Sequence, residues 1–315
     1  MAAPPSQLGG LIAPDDLALE STVNAGLELK TRSQWSYARM RFLRHRLAMA
    51  GLIGLVIVFG AGVFANFVAP YSFDQIDLNH LYAKPTLAGN HFFGTDELGR
   101  DFFSRTVYGI RTSLEVGIFV AVVSSILGVI VGAIAGYYRG WVDNGLMRLT
   151  DLILTLPALA ILLTMAALFG SGSQWRISFI LMLFFWTQIA RVVRGVFLSL
   201  REKEYTEAAK ASGAGDFRIM FRHILPNTLG PVVVNATLAV AAAILTEAAL
   251  SFLGFGIKPP TPSLGVLIVD GQNNPEKWWL TVLPGLVLVF IIICVNFVGD
   301  GLRDALDPTQ RRVRA

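Results

Sequence analysis

Residues 47–69 read LAMAGLIGLVIVFGAGVFANFVA, 23 consecutive positions without a charge. As a helix rising 1.5 Å per residue, the stretch reaches about 34 Å, enough to cross a hydrocarbon core of about 30 Å. In lipid a segment must satisfy its own backbone N–H and C=O groups, so a lone apolar stretch of this length predicts a transmembrane helix. It begins after 46 residues and lacks a small-residue cleavage pattern behind it, so it is expected to stay as an anchor. Moving outward from it, the same test finds five more candidate spans. They are 116–138, 152–169 (interrupted by Pro157), 177–193 (the weakest, with Gln188 and Arg191), 229–255 (holding Asn235 and Glu247) and 282–299 (holding Cys294 and Asn296). The expected fold is an all-α integral membrane protein with six transmembrane helices.

Composition agrees. Of 315 residues, 54% are apolar and only 15% charged, against ~25% charged in a soluble domain. This excludes an ordinary soluble enzyme, a disordered chain and a collagen-like chain, and a single cysteine excludes an intramolecular disulfide. The net charge is +4, but its placement says more. The side of the membrane holding both termini and the loops near 139–151 and 191–228 carries 19 Lys and Arg, and the other side 7. The excess predicts that both termini are cytoplasmic, anchored most strongly by the basic run from Arg39 to Arg46. The expected organisation is a flexible cytoplasmic tail (1–30), a basic juxtamembrane segment (31–46), the first span (47–69) and an aromatic-rich extracytoplasmic loop (70–113). A core of five spans (114–300) and a second cytoplasmic tail (301–315) follow.

The loop between the fourth and fifth spans, 201–227, reads as two short helices with a break. Residues up to Ser212 are good helix formers, Gly213 and Gly215 offer left-handed positions, and Asp216 can cap the next helix. Phe217, Met220, Phe221 and Ile224 share one helical face, and Arg218 and Arg222 lie on another. Pro226 is expected to end that helix, and Pro231 to sit in the first turn of the fifth span. Such a helix pair suits docking of a protein partner, or lies on the membrane surface.

Glu207-Ala208-Ala209, three residues, Gly213, and then Leu225-Pro226 resemble the EAA loop of binding-protein-dependent ABC importer permeases. His223 stands where the general pattern has an apolar residue, and the ending Arg222-His-Ile-Leu-Pro-Asn227 looks like the peptide-importer branch. Three further stretches, in the same order as in that branch, are similar to the DppC/OppC-type permeases of dipeptide, oligopeptide and nickel importers. They run from His91 through Gly94-Thr-Asp96, Arg100-Asp101 and Arg105 to Leu114; from Gly136 through Asp143, Arg148 and Asp151 to Pro157; and from Glu247 through Ser251 to Gly256, with Trp278-Trp279 beyond. Together the resemblance covers roughly 40–310. It implies a bacterial inner-membrane subunit of a type I importer of small peptides, paired with a homologous second permease of DppB/OppB type. It further implies two ATPase subunits, an extracytoplasmic solute-binding protein and a lipid bilayer as partners, and no nucleic acid. Import of nickel or another small solute stays open, as does, in a different class, an ion-gradient-driven transporter.

The resemblance assigns Glu207, Ala208, Ala209, Gly213, Gly215, Asp216, Phe217, Met220, Arg222, Leu225 and Pro226 to a loop that couples to the ATPases. Asp96, Arg100, Asp101 and Arg105 would gate the mouth, touch the binding protein or form a self-contained salt-bridged loop. Glu247 would line the path or hydrogen-bond to the neighbouring permease. Asp151 is most simply an N-cap for the third span. No Gly-Lys dipeptide or G-x-G-x-x-G occurs, so ATP and Mg are expected on partner subunits and no cofactor in this chain. His45, His80, His91 and His223 show no metal-ligand spacing, and no catalytic constellation or enzymatic role is expected.

Overall fold

The computed structural model describes residues 34–86, 91–170 and 172–306. The expected tail over 1–30 lies outside the described residues, as do 307–315. The helices in chain order are α1 (Gln34–Arg44), α2 (Arg46–Val63), α3 (Ala65–Val68), α4 (Phe102–Tyr138), α5 (Gly140–Thr155), α6 (Ala158–Phe169), α7 (Gln174–Arg201), α8 (Glu204–Ala211), α9 (Asp216–Phe252), α10 (Leu264–Gln272) and α11 (Trp278–Leu306). Among the described residues, α2, α4, α7, α9 and α11 are each long and apolar enough to cross a membrane. The pair α5–α6 adds a sixth crossing if it counts as one broken span.

Several boundaries differ from the hydropathy reading. The third span is not one rod: α5 and α6 meet at 87° across Leu156-Pro157. The residue before a proline is pushed to extended backbone, and Leu156 sits at φ −72°, ψ 142°. Helix α4 starts 14 residues before 116, because Asp101 caps it by accepting from the Ser104 amide at 2.7 Å. Helix α11 runs to Leu306, into the segment read as tail. Asp151 lies inside α5 and does not cap; its carboxylate takes an Arg191 guanidinium at 2.5 Å. Nearby, Arg194 grips Asp143 with two hydrogen bonds of 2.5 and 2.6 Å. These pairs explain how α7, the weakest span by composition, carries Arg191 and Arg194: each has a carboxylate waiting on α5.

Small residues set the closest packing. Gly128, Gly132 and Gly136 line one face of α4 at four-residue spacing, and α7 lies directly on them. A Cβ at Gly128 would stand 2.7 Å from the Ile189 Cβ, and one at Gly136 2.6 Å from the Phe197 Cβ. At Gly132 it would collide with the Ala190 carbonyl. Between helices in lipid, such contact supplies the dispersion and backbone proximity that hydrophobic exclusion cannot. Helix α2 meets α11 the same way: a Cβ at Gly54 would lie 2.7 Å from the Cys294 Sγ, so this cysteine is a packing residue. The outward faces keep large apolar side chains exposed, among them Ile53, Val56 and Ile57 on α2 and Val122, Ile126 and Ile130 on α4. A lipid-facing belt accounts for them.

Among its described residues, the segment between α3 and α4 is folded without a helix. Tyr71 stacks on His91, and Phe92 and Phe93 both meet Phe103 edge-on. It lies at the end of the bundle opposite α8, with α10 beside it.

Candidate coupling site

The loop after α7 is a braced structure. Helix α8 ends in a Schellman motif: the Ala214 amide bonds to the Ala209 carbonyl at 3.1 Å and the Gly213 amide to the Lys210 carbonyl at 3.0 Å. Gly213 takes φ +80°, the left-handed position such an ending requires, with no atom near where a Cβ would stand. Gly215, expected to be left-handed too, has φ −69° and forms the N-cap of α9. Asp216 therefore does not cap; it sits in the first turn and accepts a 2.6 Å hydrogen bond from the Tyr137 hydroxyl.

Helix α9 then widens. Residues Ile219–Ile224 form a π turn, in which the Leu225 amide bonds to the Met220 carbonyl five residues back. Pro226 does not end the helix. It falls in the first turn after the π segment, and the helix runs on through it to Phe252. Pro231 likewise sits inside the continuous helix. The wider turn also splits the expected apolar stripe. Met220 and Ile224 are buried with Ile219 against Tyr137, Val193 and Phe197, and Leu225 packs on the same cluster. Phe217 (73% exposed) and Phe221 (50%) project outward, their ring centroids 4.3 Å apart. Arg218, Arg222 and Pro226 are exposed as well, as are Glu207 and Ala208 on α8, while Ala209 is partly covered.

Two residues that sequence reasoning missed hold this loop to the end of α4. Arg201 donates to the Tyr137 carbonyl at 2.5 Å and lies over its ring, 5.4 Å from the centroid. Arg139 reaches Glu202 at 2.6 Å. Between them a polar cleft of about 500 Å³ opens, with Glu207 and Lys210 on its wall. The Gly136–Asp143 stretch flagged Tyr137, but its partner is 79 residues away and leaves no sequence signal. Tyr137→Phe is expected to speed amide hydrogen exchange across 213–218 at least tenfold, since a hydrogen bond to a charged group contributes about 1.5–3 kcal/mol. Unchanged exchange would show that Arg201 alone holds the loop.

At the opposite end, Asp96, Arg100, Asp101 and Arg105 are all buried. Asp96 accepts from Arg100 Nε at 2.7 Å and from Arg105, which also donates to Asp270 of α10 at 3.0 Å. Asp270 was not foreseen; burial pushes its carboxyl up, opposed by the Arg105 charge. Asp101 stands apart from this network, capping α4 and taking His91 Nδ1 at 2.9 Å. Glu247 is fully buried and bonded to three serines of its own chain: Ser251 at 2.7 Å, Ser263 at 2.9 Å and Ser113 at 3.5 Å. It thus ties α9 to α4 and to the entry of α10, facing neither an open path nor a free surface.

Comparison with known proteins fits this arrangement. Residues 128–312, more than half of the chain, match the family described as "binding-protein-dependent transport system inner membrane component". The chain belongs to this family. Residues 33–85 match a second family, the N-terminal transmembrane domain of oligopeptide transport permease C. Curated permeases of the family are similar over most of their length. The oligopeptide transport system permease protein OppC of Mycobacterium tuberculosis (strain ATCC 25618 / H37Rv) is 41% identical over 278 residues, covering 87% of this chain and 94% of that one. The dipeptide transport system permease protein DppC of Bacillus subtilis (strain 168) is 39% identical over 305 residues, covering 95% and 94%. Among solved structures, a chain of the inward-facing MetNI methionine ABC transporter matches with a TM-score of 0.55 at 18% identity, over 64% of this chain and 96% of that one, which shows a shared fold. The chain is a multi-pass membrane permease of this family.

Proposed function

We propose that the chain is one of two homologous membrane subunits of an ATP-driven, binding-protein-dependent importer of small peptides in the bacterial inner membrane, with both termini cytoplasmic. The observation that carries the reading is the braced loop Glu204–Asp216 running into the exposed Phe217–Phe221 pair. It is a rigid knob fixed to the ends of α4 and α7, at the end where Lys and Arg are concentrated. A rigid knob transmits displacement, so a partner that closes on it moves the spans it is fixed to. The ATPases, with ATP and Mg, supply that movement, and this chain supplies the path. Relatives named for oligopeptide and dipeptide transport support the cargo class. The exposed leucines of α5 and α6, Leu152, Leu159 and Leu168, suit contact with the second permease.

Gly213→Val tests the coupling role. A β-branched residue at φ +80° costs about 1–2 kcal/mol and unseats the Schellman ending. In proteoliposomes holding the whole importer, uptake per ATP hydrolysed is expected to fall at least fivefold while the amount of chain in the membrane is unchanged. Unaltered coupling, or transport by this chain alone under an ion gradient, would sink the assignment.

A further inference from the structure

We propose that Asp77, His80 and His91, at the end of the bundle opposite the coupling loop, form a binding site for a divalent transition-metal ion of the zinc class. The sequence hides it, because His80 and His91 are eleven positions apart and no helix or strand relates them. Folding brings the three together: one carboxylate oxygen and two imidazole nitrogens lie within 4.8 Å of one another. The His80 and His91 ring centroids are 5.8 Å apart.

The surrounding backbone holds this arrangement by itself. The Thr95 hydroxyl donates to the His80 carbonyl and accepts from the Ala83 amide at 2.7 Å, and the Tyr82 amide bonds to the Asp96 carbonyl at 3.1 Å. Gly99, at φ +70°, lies against the Asp77 carbonyl where no side chain would fit. The segment carrying Asp77 and His80 is thus pinned to the segment that follows His91.

His91 is already oriented as a ligand. Its ring stacks on Tyr71 at 5.2 Å, and its Nδ1 meets buried Asp101 at 2.9 Å. A neutral His91 that donates from Nδ1 to this carboxylate presents the Nε2 lone pair to a metal. A carboxylate behind a ligating imidazole is the second-layer partner that metal-binding histidines use. Asp77 supplies the carboxylate: its Oδ1 accepts from the Asn79 amide at 3.0 Å, and its Oδ2 lies 2.7 Å from His80 Nδ1.

The donor set selects the metal. Two imidazoles and one carboxylate with a fourth position open to water match zinc, whereas magnesium and calcium demand oxygen ligands. Ligand atoms in a tetrahedral site with bonds of 2.0–2.1 Å stand ~3.4 Å apart, so donors that already lie within 4.8 Å of one another need at most ~1.4 Å of adjustment. The exposed His80 side chain is free to make that movement. The site involves no residue of the coupling loop, and its fate is independent of the proposed function.

The test is equilibrium dialysis of the untagged chain in detergent against Zn²⁺ alone, with excess Mg²⁺ as competitor, followed by His80→Ala and Asp77→Asn. Both side chains reach solvent, and unchanged thermal unfolding of the metal-free variants will verify that they fold. Saturable binding of one ion, indifferent to Mg²⁺ and weakened at least tenfold by each substitution, is expected. Absence of saturable binding, or a loss below tenfold in either folded variant, overturns the site.

Discussion

Gly128→Leu together with Gly132→Leu is expected to abolish recovery of folded chain from membranes. The two glycines bring α4 onto α7 so closely that a Cβ at Gly128 stands 2.7 Å from the Ile189 Cβ and one at Gly132 meets backbone. A flexible side chain gives way, but the Ala190 carbonyl is fixed by its own helix. Overpacking typically costs about 1–3 kcal/mol per site and more when only backbone can yield. The pair therefore removes ~3–6 kcal/mol from a fold worth about 5–15. Gly195→Leu on α7 is the control, because nothing lies within 4 Å of its Cβ position. Monodisperse yield after detergent extraction, and the unfolding temperature of what remains, measure the difference. Equal behaviour of the double variant and the control would mean that α4 and α7 do not pack as described.

Phe217→Ala combined with Phe221→Ala is expected to lower peptide uptake at least tenfold while leaving the chain's abundance and unfolding temperature untouched. Both rings are exposed and bury little of their own chain, so removing them costs the isolated fold almost nothing. Across an interface the same rings act as anchors, and loss of such aromatics costs about 2 kcal/mol or more, over tenfold in association. Co-isolation of the ATPases should fall in parallel with uptake. A variant with normal uptake would place the ATPase contact elsewhere on the loop; one that disappears from the membrane would show that the rings serve the fold.

Much of the architecture was legible because lipid leaves a segment few choices. The stretch 47–69 is helical to Val63 and again over Ala65–Val68, broken by a turn at Phe64 that the unbroken apolar run does not mark, and the expected cores of the other spans fall within helices. What hydropathy missed was helix outside the apolar stretch: 102–115 contains Arg105, Arg111 and Glu115, which interrupt an apolar count without interrupting a helix. Pro157 was visible as a break, but the 87° turn depends on where α6 finds its neighbours. Pro226 was misread because a proline that terminates one helical turn is harmless in the first turn of another, and the π segment that creates this position carries no local mark. In the loop 201–227 the two helices and the glycine stop at Gly213 were legible from residue type, and the coupling role came from the resemblance alone. Tyr137 and Arg201, which brace it, and Asp270, which completes the opposite network, were not, since each pairing joins residues at least 64 positions apart.

The ion pairs between α5 and α7 bear on how the chain is made. Asp151 and Asp143 precede their arginines by 40 and 51 residues, so both carboxylates have left the ribosome when Arg191 and Arg194 emerge. An unpaired arginine costs about 2.5–3.5 kcal/mol at mid-bilayer on insertion scales, and less near the end of a span, where Arg191 and Arg194 lie. Synthesis order thus delivers the neutralising partner before the charge that needs it. The translocon is expected to release 140–201 into lipid as one hairpin, not helix by helix.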